Sequence, residues 1–352
     1  APGPADPGGA LDRAWERWAP PLAWRRIRVV DAHTGGEPLR VICGGVPTLP
    51  GDDVLARRRW AERHLDDLRR ALMWEPRGHA DMYGCLVMPP VTERAAVSVL
   101  FLHNEGFSTM CGHGIIALAT VLVETGALGP PWTAERTHEG ALPPIGIDTP
   151  AGFVEAVPVV ESGRVEHVSF RNVPSFAAAL GRTAEVPGYG TVPYDLAFGG
   201  AFYAYVDAGA LELSLEPRAV ESVIAAGRAV KAAVQAHDPP RHPEEPDLGF
   251  LYGVIFSGPP PGGDCDLRNV CVFADGEVDR SPTGTGVSGR LAIEHARGRL
   301  RGGETLVVES LVGSRFTVRS LGRTRVGGVR HRTPHAHSEQ EPRRARCPSH
   351  DP

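Results

Sequence analysis

The chain has 352 residues, enough for two ordinary domains with sizeable cores. Its residues are 42% hydrophobic and 22% charged, with a formal net charge of −5, which excludes the basic footprint of a nucleic-acid binder. No apolar run approaches the roughly 18 residues of a membrane-spanning helix, and six scattered cysteines without a CxxC pair speak for a reducing, cytoplasmic setting rather than a zinc framework.

In chain order, residues 1–25 are rich in Ala, Pro and Gly and lack the apolar core of a secretory signal, so they read as a flexible extension. Arg13, Arg17, Arg25 and Arg26 would suit a transit peptide, whereas Asp6, Asp12 and Glu16 oppose one. A strand is expected at 26–33 ("RIRVVDAH"), then a helix at 52–71 with Leu55, Trp60, Leu65, Leu68 and Leu72 on one stripe. Strand-like runs "CLVMPPV" and "AAVSVLFLH" follow, and a second helix opens near Cys111. The second half repeats this plan. "FGGAFYAYV" at 198–206 matches "TGGEPLRVIC" at 34–43, and a helix is expected over 215–236. Strand-like "FLYGVIFSG" and "NVCVFADG" then precede "SPTGTG", so that Gly200 stands before Thr283 much as Gly36 stands before Cys111. "HDPPRHPEEPD" at 237–247 reads as a surface loop. The organisation expected is an N-terminal domain at 26–160, a C-terminal domain at 161–322 and a divergent, disordered tail at 323–352, rich in Arg, His and Pro. Its 42 glycines and 33 prolines suit a protein of many short strands and turns.

The two glycine-rich turns carry the chemistry. Cys111-Gly112-His113-Gly114 leads into the apolar "IIALATVL", and Thr283-Gly284-Thr285-Gly286 leads into "VSGRLAIEHA". Glycines at a helix start leave backbone N–H groups accessible, and the dipole there favours a carboxylate. The same position favours the thiolate of a cysteine, a base or nucleophile. Two such starts facing each other would clamp one carboxylate, with Asp279 near enough to hold an ammonium or imino group. Each turn alone also fits a plain helix cap or a packed small residue.

The stretches "DAHTGGEPLRV", "EPRGHADMYG", "LFLHNEGFSTMCGHGIIAL", "GGAFYAYV" and "VCVFADGEVDRSPTGTGVSGRLA" together resemble the proline racemase family over roughly residues 26–320. The resemblance implies an α/β (α+β) fold of the diaminopimelate epimerase-like type, with two pseudo-symmetric domains, each a curved β-sheet around a central helix. It implies chemistry at the α-carbon of a proline-type amino acid in the interdomain cleft, with no cofactor and no metal. In the racemases and hydroxyproline epimerases both turns carry Cys. Here Thr283 occupies the second position, which resembles the branch that dehydrates trans-3-hydroxy-L-proline. Carried over by position, Cys111 is the base and Thr283 its partner. Gly112, His113, Gly284 and Thr285 hold the carboxylate, Asp279 meets the ring nitrogen, and Tyr83 and Phe273 flank the pyrrolidine ring unless they are core residues. The family's chain ends with a strand returning to the first domain, a pattern absent from 323 onward.

Inversion requires two acid–base groups, one for each face of the α-carbon, and a threonine hydroxyl is too weak an acid to be the second. Elimination does not. In trans-3-hydroxy-L-proline the hydroxyl shares a ring face with the α-hydrogen, so one thiol could take the proton and return it to the departing hydroxide. Thr283 would hydrogen-bond the hydroxyl or stay passive. The expected function is dehydration to Δ1-pyrroline-2-carboxylate. The alternatives are a hydroxyproline 2-epimerase or proline racemase, or a catalytically impaired amino-acid-binding homologue. The expected partner is a small-molecule imino acid, with a homodimer as candidate assembly and neither nucleic acid nor membrane.

Overall fold

The computed structural model describes residues 7–133, 139–301, 303–324, 326 and 333–337. It begins with helix α1 (Pro7–Arg17), inside the extension expected to be flexible. The high Pro and Gly count concealed a segment in which Pro7 suits the first turn and Arg17 the last.

Strand β1 (Arg28–Thr34) returns as β2 (Glu37–Gly44) through Gly35 and Gly36, both at positive φ, the two-residue turn that matches strand twist. The helix expected at 52–71 is two helices, α2 (Val54–His64) and α3 (Asp66–Met73). Leu65, at φ −123°, turns into the core between them, and Asp66 and Asp67 then occupy the acidic first turn of α3. Next come β3 (Gly84–Met88), β4 (Val97–Leu102), β5 (Phe107–Ser108), α4 (Gly112–Glu124), β6 (Gly140–Ala141), β7 (Ile145–Thr149), β8 (Gly152–Glu161) and β9 (Arg164–Arg171). These strands form one sheet in the order β1-β2-β3-β4-β7-β8-β6, with β5 on β4 and β9 on β8. The boundary expected at 160 falls inside the β8–β9 hairpin, whose turn residues Ser162 and Gly163 are both at positive φ; the first sheet runs on to Arg171.

The second sheet contains β10 (Phe176–Val186), β11 (Gly190–Phe198), β12 (Phe202–Asp207), β13 (Leu251–Gly258), β14 (Leu267–Phe273), β15 (Glu277–Asp279), β16 (Thr305–Glu309), β17 (Arg315–Thr324) and β18 (Thr333–His337). Helix α5 (Val220–His237) lies between β12 and β13, and α6 (Gly284–Ala296) follows β15. The tail expected to be disordered from 323 therefore contributes backbone to the fold. β17 continues to Thr324, and β18 pairs antiparallel with it, as an edge strand that tolerates Pro334. A returning strand is present, but it extends the second sheet rather than the first. Residues 338–352 lie outside the described residues.

The duplication read from the sequence is matched in strand pairing. β1 to β4 pair antiparallel, parallel and antiparallel in turn, and β11 to β14 do the same. β4 then carries the short β5 and lies parallel to β7, as β14 carries β15 and lies parallel to β16. Helix α4 is apolar nearly all round and packs against β1, β2, β8 and β9, while α6 packs against β10, β11, β12, β17 and β18. Each sheet thus curves around one central helix, and the outer helices α2, α3 and α5 cover the other faces. No helix among the described residues is long and apolar enough to cross a membrane.

Candidate active site

The two central helices meet at their first residues. A Cβ on Gly112 would lie 2.5 Å from the Gly284 Cα, so the approach of the two helix starts requires glycine. Thr34 donates a hydrogen bond to the His113 carbonyl at 3.0 Å and fixes the first turn of α4. In the other half the Gly199–Gly200 turn packs on Thr285 and on Met110, and Thr109 donates to the Gly200 carbonyl at 2.6 Å.

Cys111 and Thr283 begin their helices differently. Cys111 is extended, at φ −148°, and its sulfur accepts a hydrogen bond from the Gly114 N–H at 3.3 Å. Thr283 sits at φ 67°, a region costly for a β-branched residue, and its side chain does not cap α6. Its N–H donates to Ser281 Oγ, and the Ser281 N–H donates to Asp279 Oδ1 at 2.8 Å. The Thr283 hydroxyl oxygen is buried beside the Cys271 thiol and makes no hydrogen bond of ordinary distance and angle. A buried hydroxyl left unmatched on a strained residue points to a ligand that is to fill it.

Every residue expected at the site lines one small cavity between the halves: Tyr83, Cys111, Gly112, His113, Phe273, Asp279, Thr283, Gly284 and Thr285. Met110, Tyr203 and Tyr252 line it too and were not anticipated. Tyr203 shares a hydrogen bond with Thr285 Oγ1 at 2.7 Å, and the Tyr83 and Tyr252 hydroxyls lie 3.2 Å apart. The rings of Tyr83 and Phe273, expected to flank a ring, stand edge-on at 67° with centroids 5.9 Å apart. The duplication held the signal for Tyr252. "MYGC" and "LYGV" open β3 and β13 with a shared Tyr-Gly, and Gly84 and Gly253 hold equivalent registers against β4 and β14.

Burial pushes the Cys111 thiol well above its ordinary value, and the charge of Asp279 adds to this; the Gly114 N–H and the Tyr83 hydroxyl act in the opposite sense. Burial lowers His113, against the pull of Asp279 and the Pro38 backbone. The resting pair is therefore a thiol and a neutral imidazole, with Nδ1 3.1 Å from sulfur. Two buried glutamates tie the halves together around it. Glu37 accepts from the Arg280 N–H at 2.8 Å and Glu277 from the Asn104 N–H at 2.7 Å, and each keeps one oxygen without a partner. Burial raises both carboxyls well above the usual range, with Asp279 adding to the rise at Glu37.

A duplicated sheet-and-helix unit, with a thiol and two helix starts in the cleft between copies, defines a class of two-domain α/β proteins with their site between the halves. Within that class the chain belongs to the proline racemase family, whose description, Proline racemase, it matches over residues 29–337. It is 46% identical over 310 residues to the trans-3-hydroxy-L-proline dehydratase of Colwellia psychrerythraea, covering 87% of this chain and 85% of the relative. It is 47% identical over 305 residues to the 3-hydroxyproline 2-epimerase of Burkholderia multivorans, covering 87% and 89%. The crystal structure of a hydroxyproline epimerase from Agrobacterium vitis with bound trans-4-hydroxy-L-proline superposes with a TM-score of 0.82 at 32% identity, covering 90% of this chain and 89% of that one.

Proposed function

We propose that this protein dehydrates trans-3-hydroxy-L-proline. Cys111, as thiolate, removes the α-proton while the C3–hydroxyl bond breaks, giving Δ2-pyrroline-2-carboxylate, which tautomerises to Δ1-pyrroline-2-carboxylate. The observation that carries the reading is the second helix start, where a threonine with an unmatched hydroxyl stands and the cavity holds a single thiol. Dehydration of this substrate is also the activity named for the Colwellia relative.

The remaining groups divide the work. The N–H groups of Gly112, His113, Gly284 and Thr285 receive the carboxylate and stabilise enolate character as the α-proton leaves, a role for fixed donors in a dry site. Asp279 faces the cationic ring nitrogen, and His113 takes the thiol proton across the 3.1 Å contact. Tyr83 and Phe273 enclose the ring. We place the reaction in the cytoplasm, where the described cysteines stay free thiols, and we expect a homodimer, which light scattering of the purified protein tests.

The Burkholderia relative favours a second reading, epimerisation at C2 of the same substrate. Incubation with trans-3-hydroxy-L-proline, trans-4-hydroxy-L-proline and L-proline separates them, with imine formation and the D-configured product followed independently. Imine from the 3-hydroxy substrate alone is expected, and Cys111→Ser is expected to abolish it. A C2 epimer without imine, or substantial imine from the serine variant, overturns the reading.

A further inference from the structure

The departing hydroxide needs a proton, and Thr283 begins the helix of the half that does not carry Cys111. Cys111 and Thr283 begin helices from opposite halves, so a substrate held between the helix starts turns one ring face to each. In the trans-3-hydroxy substrate the hydroxyl and the α-hydrogen share a face, the one turned to Cys111. The groups around the leaving oxygen are therefore those on the sulfur's side of the cavity.

Three polar side chains are placed there. His113 is engaged with the sulfur through Nδ1. Tyr83 adjoins the sulfur, and its hydroxyl meets that of Tyr252 from the other half at 3.2 Å. Both tyrosines are buried and line the cavity, with Ser108 beside both hydroxyls. The internal duplication produces this pair, because each tyrosine precedes the matching glycine of β3 or β13. The contact continues from the sulfur through two hydroxyls, both belonging to residues that line the cavity.

We propose that Tyr252 is the acid that protonates the leaving hydroxyl and that Tyr83 returns the proton to it. The α-C–H bond breaks and its proton joins the Cys111 sulfur. The electron pair forms the C2–C3 double bond as the C3–O bond breaks. Tyr252 passes its proton to the departing oxygen to give water, takes one from Tyr83, and Tyr83 takes the proton carried by sulfur. Thiolate and both phenols are restored, and a concerted transfer avoids a buried phenolate. The inference rests on the dehydratase reading and goes beyond it by assigning the acid.

The test is the ratio of two reactions in Tyr252→Phe: dehydration of trans-3-hydroxy-L-proline, and uptake of deuterium from D2O at the α-carbon of L-proline, which has no leaving group. The ratio is expected to fall by about 10²–10⁴-fold, the usual worth of a general acid. Tyr83→Phe is expected to lower it in the same sense. Elimination from trans-3-chloro-L-proline, whose chloride needs no proton, is expected to restore Tyr252→Phe to within about tenfold of the parent. An unchanged ratio, or equal loss with the hydroxy and chloro substrates, overturns the assignment. Failure of the parent enzyme to dehydrate the 3-hydroxy substrate at all overturns the dehydratase reading itself, and this inference with it.

Discussion

Asp279 has two effects on Cys111 that oppose each other in use. Its charge raises the thiol, yet in the proposed reaction it holds the cation that acidifies the α-carbon. Asp279→Asn should therefore abolish turnover and make the empty site's sulfur more reactive. Alkylation of Cys111 by iodoacetamide near neutral pH, followed by site-resolved mass spectrometry, should be faster than in the parent, because less of the thiol is held protonated. A rate equal to or below the parent's would show that the aspartate does not govern the thiol. At the other helix start, Thr283→Cys should add inversion, seen as D-proline from L-proline with α-deuterium uptake. The absence of both would place the choice of reaction elsewhere in the cavity. The residues of the two turns were legible in the sequence because their chemistry sits in short contiguous motifs. Tyr203 was not, because it reaches the cavity only when the halves fold together; Met110 adjoins Cys111 in the chain but carries no chemistry to mark it, and Tyr252 was marked only by its match to Tyr83 in the duplicated half.

Helices α4 and α6 touch through atoms that no side chain can separate. Gly112→Ala would press a methyl group on Gly284 and on Phe170, so the helix starts must part. Overpacking of this kind costs about 1–3 kcal/mol, read as a lower melting temperature. Activity should fall further than that cost alone if the two helix starts hold the carboxylate as proposed, since the space between them widens. A variant that melts lower and keeps full activity would remove the clamp from the mechanism. Element types were readable where hydrophobic period was strong, as in α4, β4 and β14. Boundaries failed where a local event overrode the period. Leu65 breaks a helix whose apolar stripe continues across it. The Ser162–Gly163 turn joins two strands that were assigned to different domains. Strand β18 carries little strand propensity, and backbone pairing with β17 supplies its order.

The halves of the molecule are joined by Glu37 and Glu277, each bonded to a backbone N–H of the opposite half. Burial raises both carboxyls in the fold, so between the ordinary value of 4.5 and their raised native values the native state binds more protons than the unfolded chain. Their contribution is fully present below the ordinary value and is lost as pH rises through the raised native values. Replacing both by Gln, neutral at every pH, should leave melting near pH 4 almost unchanged and raise the melting temperature near pH 8. Equal pH dependence in parent and variant would show that the carboxyls ionise at no cost. The same enclosure bears on survival under oxidants. Peroxide attacks thiolates that it can reach, and the Cys111 sulfur is both protonated at rest and shut between the halves, whereas Cys43 is exposed. Among the described cysteines, oxidant should therefore mark Cys43 before Cys111 and leave turnover intact, so that loss of activity under peroxide measures how often the two halves stand apart.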